Sequence, residues 1–356
     1  MRLGTRVATA GLIAGLVVGC ATGDKPSSEV PDGGAATRAA TRVESHGPVR
    51  LGDGEGTITG MAAARRGAWA VGVDSSGRGS AWRVDGSSGT VTESVRLPGA
   101  QDVAVGAGAV WIVAAGPRRA GWPQVLVRVD PDDGEVVARS RIAPRPGEAR
   151  AAVQGIAAGP SGVWVTLRYG RRAGDIVRID PRTGEIAARV DARGAPGDIA
   201  LADDSVWFVS NARRGLGRVS LHRLDARTDE IVASPVRQRL HHTGGSELLP
   251  GFAIGEDEVW ASSFENGRQH ALRVDTTTND VAVAPLALKH FAPVAVTADG
   301  VWFIGRGGLA QLDIDTLEAD RPIELPIAPT DADVDPAGDS LWLAGYHAAI
   351  VRVELP

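Results

Sequence analysis

Three pairs of adjacent arginines, Arg118-Arg119, Arg171-Arg172 and Arg213-Arg214, fall in glycine-containing stretches between apolar runs. Grouped guanidinium groups offer planar, forked donors that match carboxylates, phosphates and sulfates. They suit anionic lipid headgroups or an acidic patch on a partner equally well. A second group gathers His241, His242 and Glu247 around the Gly244-Gly245 pair, with Lys289-His290 further along. Imidazoles beside a carboxylate could do acid–base work. Adjacent histidines on a strand point to opposite sides, however, so this pair makes a poor metal site and no metal is expected. No GxSxG, HExxH, P-loop or CxxC motif occurs, so the sequence assigns no catalytic residue and implies no cofactor. Gly305-Arg-Gly-Gly308 follows a strand but leads into another strand, leaving no helix N-terminus to receive phosphate.

The one cysteine, Cys20, offers a different chemistry. Arg2 and Arg6 precede an apolar run from Val7 to Val18, too short to span a bilayer permanently and suited to a signal peptide. Val17-Val18-Gly19-Cys20 resembles a bacterial lipobox, which implies a diacylglyceryl- and palmitate-bearing cysteine as the mature N-terminus. Residues 1–19 are then the signal peptide, and residues 20–41 are the lipidated cysteine with a Gly/Pro/Ser-rich tether unable to bury a core. The chain is expected to sit on the extracytoplasmic side of a cell membrane, held by lipid without spanning it. Loss of Arg2 and Arg6 moves the formal charge from −5 to −7, and no nucleic-acid partner is expected.

The elements that carry these residues repeat. Trp69, Trp111, Trp164, Trp207, Trp260, Trp302 and Trp342 each follow an apolar residue, at spacings of 42, 53, 43, 53, 42 and 40. Each is followed by a strand end that reads WRVD (to Asp85), VRVD (Asp130), VRID (Asp180), HRLD (Asp225), LRVD (Asp275), LDID (Asp315) or VRVE (Glu354). Short strands at a period of roughly 40–50 residues predict an all-β, seven-bladed propeller with four-stranded blades over residues 42–356. The repeated tryptophans are expected between blades and the repeated acids on their own turns, because what recurs in every blade belongs to the scaffold. The last repeat stops three strands in, while residues 42–52 have no blade of their own, so they are expected to supply its fourth strand and close the ring. A single chain closed in this way is expected to be monomeric.

Segments such as Pro196-Gly-Asp-Ile-Ala-Leu-Ala-Asp-Asp-Ser-Val-Trp-Phe-Val-Ser210 and Leu221-His-Arg-Leu-Asp-Ala-Arg-Thr-Asp-Glu-Ile-Val-Ala233 resemble secreted YVTN-type and virginiamycin B lyase-like seven-bladed propellers. The resemblance implies the fold over about residues 50–354. The lyase-type repeat, close to G-P-D-G-N-x-W-F-T-E, is matched here by Gly159-Pro-Ser-Gly-Val-Trp-Val-Thr166, without its Asn or its following acid. No counterpart of that family's metal-binding glutamates or catalytic histidine stands out, so its activity is not carried over.

In such a disc the second-to-third strand loops share a face with the connections between blades, and the three arginine pairs fall in those loops. The opposite face gathers Asp132, Asp133, Asp203, Asp204, Asp229 and Glu230. The expectation is a membrane-tethered binding module that recognises an anionic glycan, lipid headgroup or envelope protein through an Arg-rich face. The alternative, a lyase- or lactonase-type enzyme at the central channel mouth, requires carboxylates or histidines converging on that channel.

Overall fold

The computed structural model describes residues 43–355, apart from 117–123, 171–172, 213–217, 240–251, 266–267, 287–290, 298–299, 306–307, 315 and 336–337. The chain enters through β1 (Glu44–Arg50) and then builds seven antiparallel blades in sequence. Blade one is β2 (Thr57–Ala64), β3 (Gly67–Val73), β4 (Gly79–Asp85) and β5 (Val91–Arg96). Blade two is β6 (Ala100–Gly106), β7 (Ala109–Ala115), β8 (Gln124–Val129) and β9 (Val136–Ile142). Blade three is β10 (Ala152–Gly159), β11 (Gly162–Tyr169), β12 (Ala173–Ile179) and β13 (Ile186–Asp191). Blade four is β14 (Gly194–Ala202), β15 (Ser205–Ala212), β16 (Arg218–Asp225) and β17 (Glu230–Arg239). Blade five is β18 (Phe252–Ile254), β19 (Glu258–Glu265), β20 (Arg268–Asp275) and β21 (Val281–Leu286). Blade six holds β22 (Phe291–Thr297), β23 (Gly300–Gly305) and β24 (Gly308–Leu312), and blade seven holds β25 (Pro329–Val334), β26 (Ser340–Gly345) and β27 (Ala349–Glu354).

The repeat motif explains the turn between the third and fourth strands. In blades one to five the terminal Asp accepts amide hydrogens from the residues beyond it, as Asp180 does from Arg182 at 2.7 Å and Thr183 at 3.3 Å. These donors hold the Asp180 and Asp225 carboxyls below the ordinary carboxylate range, backbone amides being the largest cause. Four residues after the Asp, the chain takes a left-handed conformation at Gly89, Gly134, Gly184, Asp229 and Asn279. The residue types at this position, mostly Gly, Asn or Asp, are those that tolerate it. Blade six corrects the sequence reading. Trp302 pairs across the strands with Gln311, where every other blade pairs its Trp with Arg, and the left-handed residue is Leu317. The turn acid is therefore Asp313, which receives Thr316 N–H at 2.8 Å, so the motif is Gln311-Leu312-Asp313 and not the LDID ending at Asp315. The fourth strand of this blade survives only as bridges of Leu309 to Ile323 and Leu312 to Ala319. Pro322, which has no amide hydrogen, lies inside that stretch and interrupts the ladder.

All seven repeat tryptophans are buried, and each sits in a cluster that spans two blades. Trp164 of blade three packs with Ile199, Val206 and Phe208 of blade four, and Trp342 of blade seven packs with Ile58, Met61 and Ala70 of blade one. Seven such clusters account for seven interfaces. The motif arginine adds a polar clasp. Arg128, Arg178 and Arg223 lie over the tryptophans of their own blades at 5.6, 5.8 and 5.7 Å. Their guanidinium groups reach the turn of the following blade, at the Pro181 carbonyl, the Asp229 carboxylate and the Thr276 carbonyl respectively. Arg83 and Arg352 make the same reach, to Asp132 O at 2.8 Å and Gly86 O at 3.1 Å.

β1 closes the ring as the sequence predicts. It pairs antiparallel with β27 from Glu44 opposite Glu354 to Arg50 opposite Ala349. Leu51, just beyond it, is buried, and its amide bonds Ala348 O at 2.8 Å.

Two outcomes follow from this packing. Removing residues 21–38 should leave the melting temperature nearly unchanged, whereas deletion through Leu51 should lower it sharply by opening a sheet edge inside blade seven; equal melting of the two truncations would contradict the closure. Trp164→Ala should cost about 3–5 kcal/mol in a denaturant titration, the range for emptying a packed aromatic site.

Candidate functional site

The first strand of each blade faces the central channel, and one position on it differs from blade to blade. Nine residues before the blade tryptophan the sequence reads Gly60, Asp102, Gly155 and Asp198 in blades one to four. Each lies in a bulge of the inner strand, between Ile58 and Gly60, Ala100 and Asp102, Val153 and Gly155, or Pro196 and Ile199. In blade seven the equivalent bulge, between Pro329 and Asp331, carries Asp331. Blades two, four and seven therefore put a carboxylate at one level of the channel. These blades are not adjacent, so the three acids meet only across the channel.

The glycines make room for them. A Cβ at Gly60 would lie 2.5 Å from Asp102 Oδ1, so a side chain there would force the carboxylate away. Asp102 accepts Val103 N–H at 2.8 Å and Ile156 N–H of blade three at 3.2 Å. Asp331 accepts Ala332 N–H at 2.9 Å. Asp333, one pleat deeper, accepts Val334 N–H at 2.9 Å and Ala63 N–H of blade one at 2.8 Å, linking the chain's end to its beginning. Asp198 is different. It is 3% exposed, and its Oδ2 is buried without a hydrogen-bond donor. Burial, followed by the charges of Asp102 and Asp331, pushes its carboxyl well above the ordinary range.

Two other polar clusters have residue types that suggest chemistry. In blade four, His222 is buried between Ser210 Oγ at 2.9 Å from Nε2 and Ser234 Oγ at 2.8 Å from Nδ1, with its ring stacked on Phe208 at 4.9 Å. Both ring nitrogens are occupied by hydroxyls, and Ser210 and His222 are closed inside the sheet. In blade three, the buried Asp175 receives Tyr169 Oη–H and Arg189 Nη1–H, each at 2.8 Å, and pairs with Arg145 Nη1 at 3.4 Å. Arg145 also lies 4.9 Å over the Tyr169 ring. Burial and the bond to Asp175 push the Tyr169 phenol up to about 12. This network pins the blade two–three connection onto blade three and helps to account for the first 53-residue spacing between tryptophans.

The sequence-derived candidates Arg118, Arg119, Arg171, Arg172, Arg213, Arg214, His241, His242, Lys289, His290 and Cys20 all lie outside the described residues. The strand ends that bracket the arginine pairs, Ala115 and Gln124, Tyr169 and Ala173, Ala212 and Arg218, are second-to-third strand junctions of three successive blades on one edge of the disc. Some described cations on that face have acidic partners: Arg78 pairs with Asp74 at 2.8 Å, and Arg145 and Arg189 share Asp175. The opposite face is also less one-sided than its loops suggest. Arg178 binds Asp229 and Arg227 binds Asp204, each at 2.6 Å, and a shallow groove there of about 230 Å³ mixes Arg223 and Arg227 with Asp203, Asp204 and Glu256. Sequence reasoning missed Asp102, Asp198 and Asp331, although the spacing of Asp102 and Asp198 from their tryptophans was a usable signal; Asp331, eleven residues before Trp342, is placed by strand register alone.

No family model and no curated protein matches the chain. Solved structures similar to it include a catalytically inactive virginiamycin B lyase from Staphylococcus aureus with quinupristin, 17% identical, covering 88% of this chain and all of that one with a TM-score of 0.61. BamB from Moraxella catarrhalis is 14% identical over 88% of this chain and all of its own, with a TM-score of 0.51. The hydrazine synthase of Kuenenia stuttgartiensis is 14% identical over 83% of this chain and 94% of that chain, with a TM-score of 0.59. At these identities the likeness defines the class of protein, a seven-bladed β-propeller with four-stranded blades.

Asp198→Asn provides a pH test with a definite sign. A carboxyl whose folded value lies above its unfolded value holds its proton more tightly in the folded state. Its contribution is therefore fully present below the ordinary value of 3.8 and is lost as pH rises toward the folded value. The melting temperature of Asp198→Asn should gain on that of wild type as pH is raised from acid toward neutral, in metal-free buffer. A gap that stays constant with pH would contradict the buried, proton-holding carboxyl.

Proposed function

We propose that this propeller is a lipid-anchored, extracytoplasmic binding module that takes an anionic ligand or partner on the face carrying its second-to-third strand loops. The observation that supports the reading most is the placement of the strand ends around the three arginine pairs, which belong to adjacent blades and open on the same edge. Guanidinium groups brought together on one rim sum their fields, and each can engage a carboxylate, phosphate or sulfate through paired donors. The sealed His222–Ser210 pair and the saturated Asp175 network add support, since neither offers an open nucleophile or base. Among the described residues no helix is long and apolar enough to cross a membrane; in this reading attachment rests on Cys20. The second reading, an enzyme of lyase or lactonase type, draws on the three carboxylates that face one another across the channel.

Cys20→Ser should move the protein from the membrane fraction to the soluble extracytoplasmic fraction or leave it as an unprocessed precursor; wild-type fractionation and processing would refute the anchor. Replacing all three arginine pairs by Ser-Ser should abolish binding to anionic-lipid vesicles or a sulfated glycan without lowering the melting temperature. Wild-type binding should weaken steeply as salt shortens the screening length to about 8 Å at physiological ionic strength. Absence of any salt-sensitive polyanion binding by wild type at low ionic strength would rule out the rim as a binding surface.

A further inference from the structure

The channel presents an acceptor without a donor. Asp102 spends both carboxylate oxygens on backbone amides of blades two and three, and Asp333 spends both of its own on blades seven and one. Asp198 occupies the same bulge position as Asp102 but leaves Oδ2 buried and without a donor. Gln101, beside Asp102 on the inner strand of blade two, likewise has a buried Oε1 without a donor. Buried polar atoms are ordinarily satisfied, and an orphan points to strain, an ordered water, an ion or a ligand. Here the orphans are acceptors only, so what completes them carries positive charge or N–H groups. Asp102 and Asp331 are half-buried on inner strands across the channel from Asp198, so negative charge from two other blades bears on the site.

We propose that Asp198 is the direct ligand of a calcium ion in the channel, with Asp102 and Asp331 facing that ion through coordinated water. Hard cations take oxygen donors. Calcium accepts a flexible, irregular shell of carboxylates, carbonyls and waters, whereas magnesium demands near-ideal octahedral geometry. Inner strands of separate blades supply irregular geometry. Among the described residues, the trio of His and carboxylate ligand atoms lying within 4.8 Å of one another is Glu44, His46 and Glu354, on the exposed outer edge. The channel carboxylates are therefore too far apart for all three to share an ion directly, which assigns Asp102 and Asp331 to the outer shell. The ion would convert a destabilising convergence of like charge into a bond between blades two, four and seven. The site is separate from the arginine loops, and its test is independent of anion binding.

The test uses the purified mature protein, stripped with a chelator and titrated calorimetrically with calcium chloride and, separately, magnesium chloride. The expected result is one calcium per chain, with a melting temperature that rises to saturation. Asp198→Asn should lose the calcium response while melting at or above wild type without the ion. Asp331→Asn should weaken calcium binding about tenfold, as loss of an outer-shell partner does. The double variant Glu44→Gln/Glu354→Gln should bind as wild type does. Absence of binding at millimolar calcium would overturn the proposal, as would tighter binding of magnesium. Binding that survives Asp198→Asn but is lost with the Glu44/Glu354 variant would place the ion on the outer edge instead. If Asp198→Asn does not fold, an unchanged calcium affinity in Asp331→Asn would overturn the assignment.

Discussion

The contact between one blade's tryptophan and the next blade's strands is the interaction on which this molecule depends. A single four-stranded sheet has two faces to cover and cannot cover them itself. The buried indole fills the gap between neighbouring blades, and the arginine paired with it across the strands lies on that ring and bonds the turn of the following blade. One Trp–Arg pair thus fixes both the apolar spacing and the polar rim of an interface. The arrangement recurs in blades one to four and returns in blade seven at Arg352, whose guanidinium bonds the Gly86 carbonyl of blade one. Closure by β1 completes the blade to which that arginine belongs.

A closed ring constrains where function can reside. Positions that recur in every blade are committed to the interfaces and turns. Variation is confined to the loops on the two faces and to the inner strands, where there is space beside the channel. Gly60 and Gly155 show the trade-off: each gives up a side chain, and Gly60 does so directly beneath Asp102. Two of the three carboxylates in the channel are tolerated because backbone amides serve them, Asp102 from blades two and three and Asp331 from its own blade. Asp198 is left as the point where the scaffold is under electrostatic load.

Much of the fold was legible in the sequence because it rests on recurrence. The tryptophan spacing, the acid that caps each turn and the unpaired strand near Val49 all have a local physical cause that repeats. Blade six misled the motif reading, since Gln311 replaces the arginine and register alone reveals that Asp313 caps the turn. Charge sorting by loops overstated the polarity of the disc. It could not see that Arg178 and Arg227 rise from the strands and turns to neutralise Asp229 and Asp204. The channel acids were hidden for another reason: they occupy only some blades, and their convergence exists only once the ring is closed.

The central claim is that recurring residues build the ring and that one face of it, defined by the second-to-third strand loops, does the binding. Hydrogen–deuterium exchange of the full mature chain, with and without anionic-lipid vesicles at low ionic strength, tests this most directly. The account expects slowed exchange in the segments around residues 116–123, 170–173 and 213–217, with the third-to-fourth strand turns unchanged. Protection centred on the turns after Asp130, Asp180 and Asp225 would contradict it.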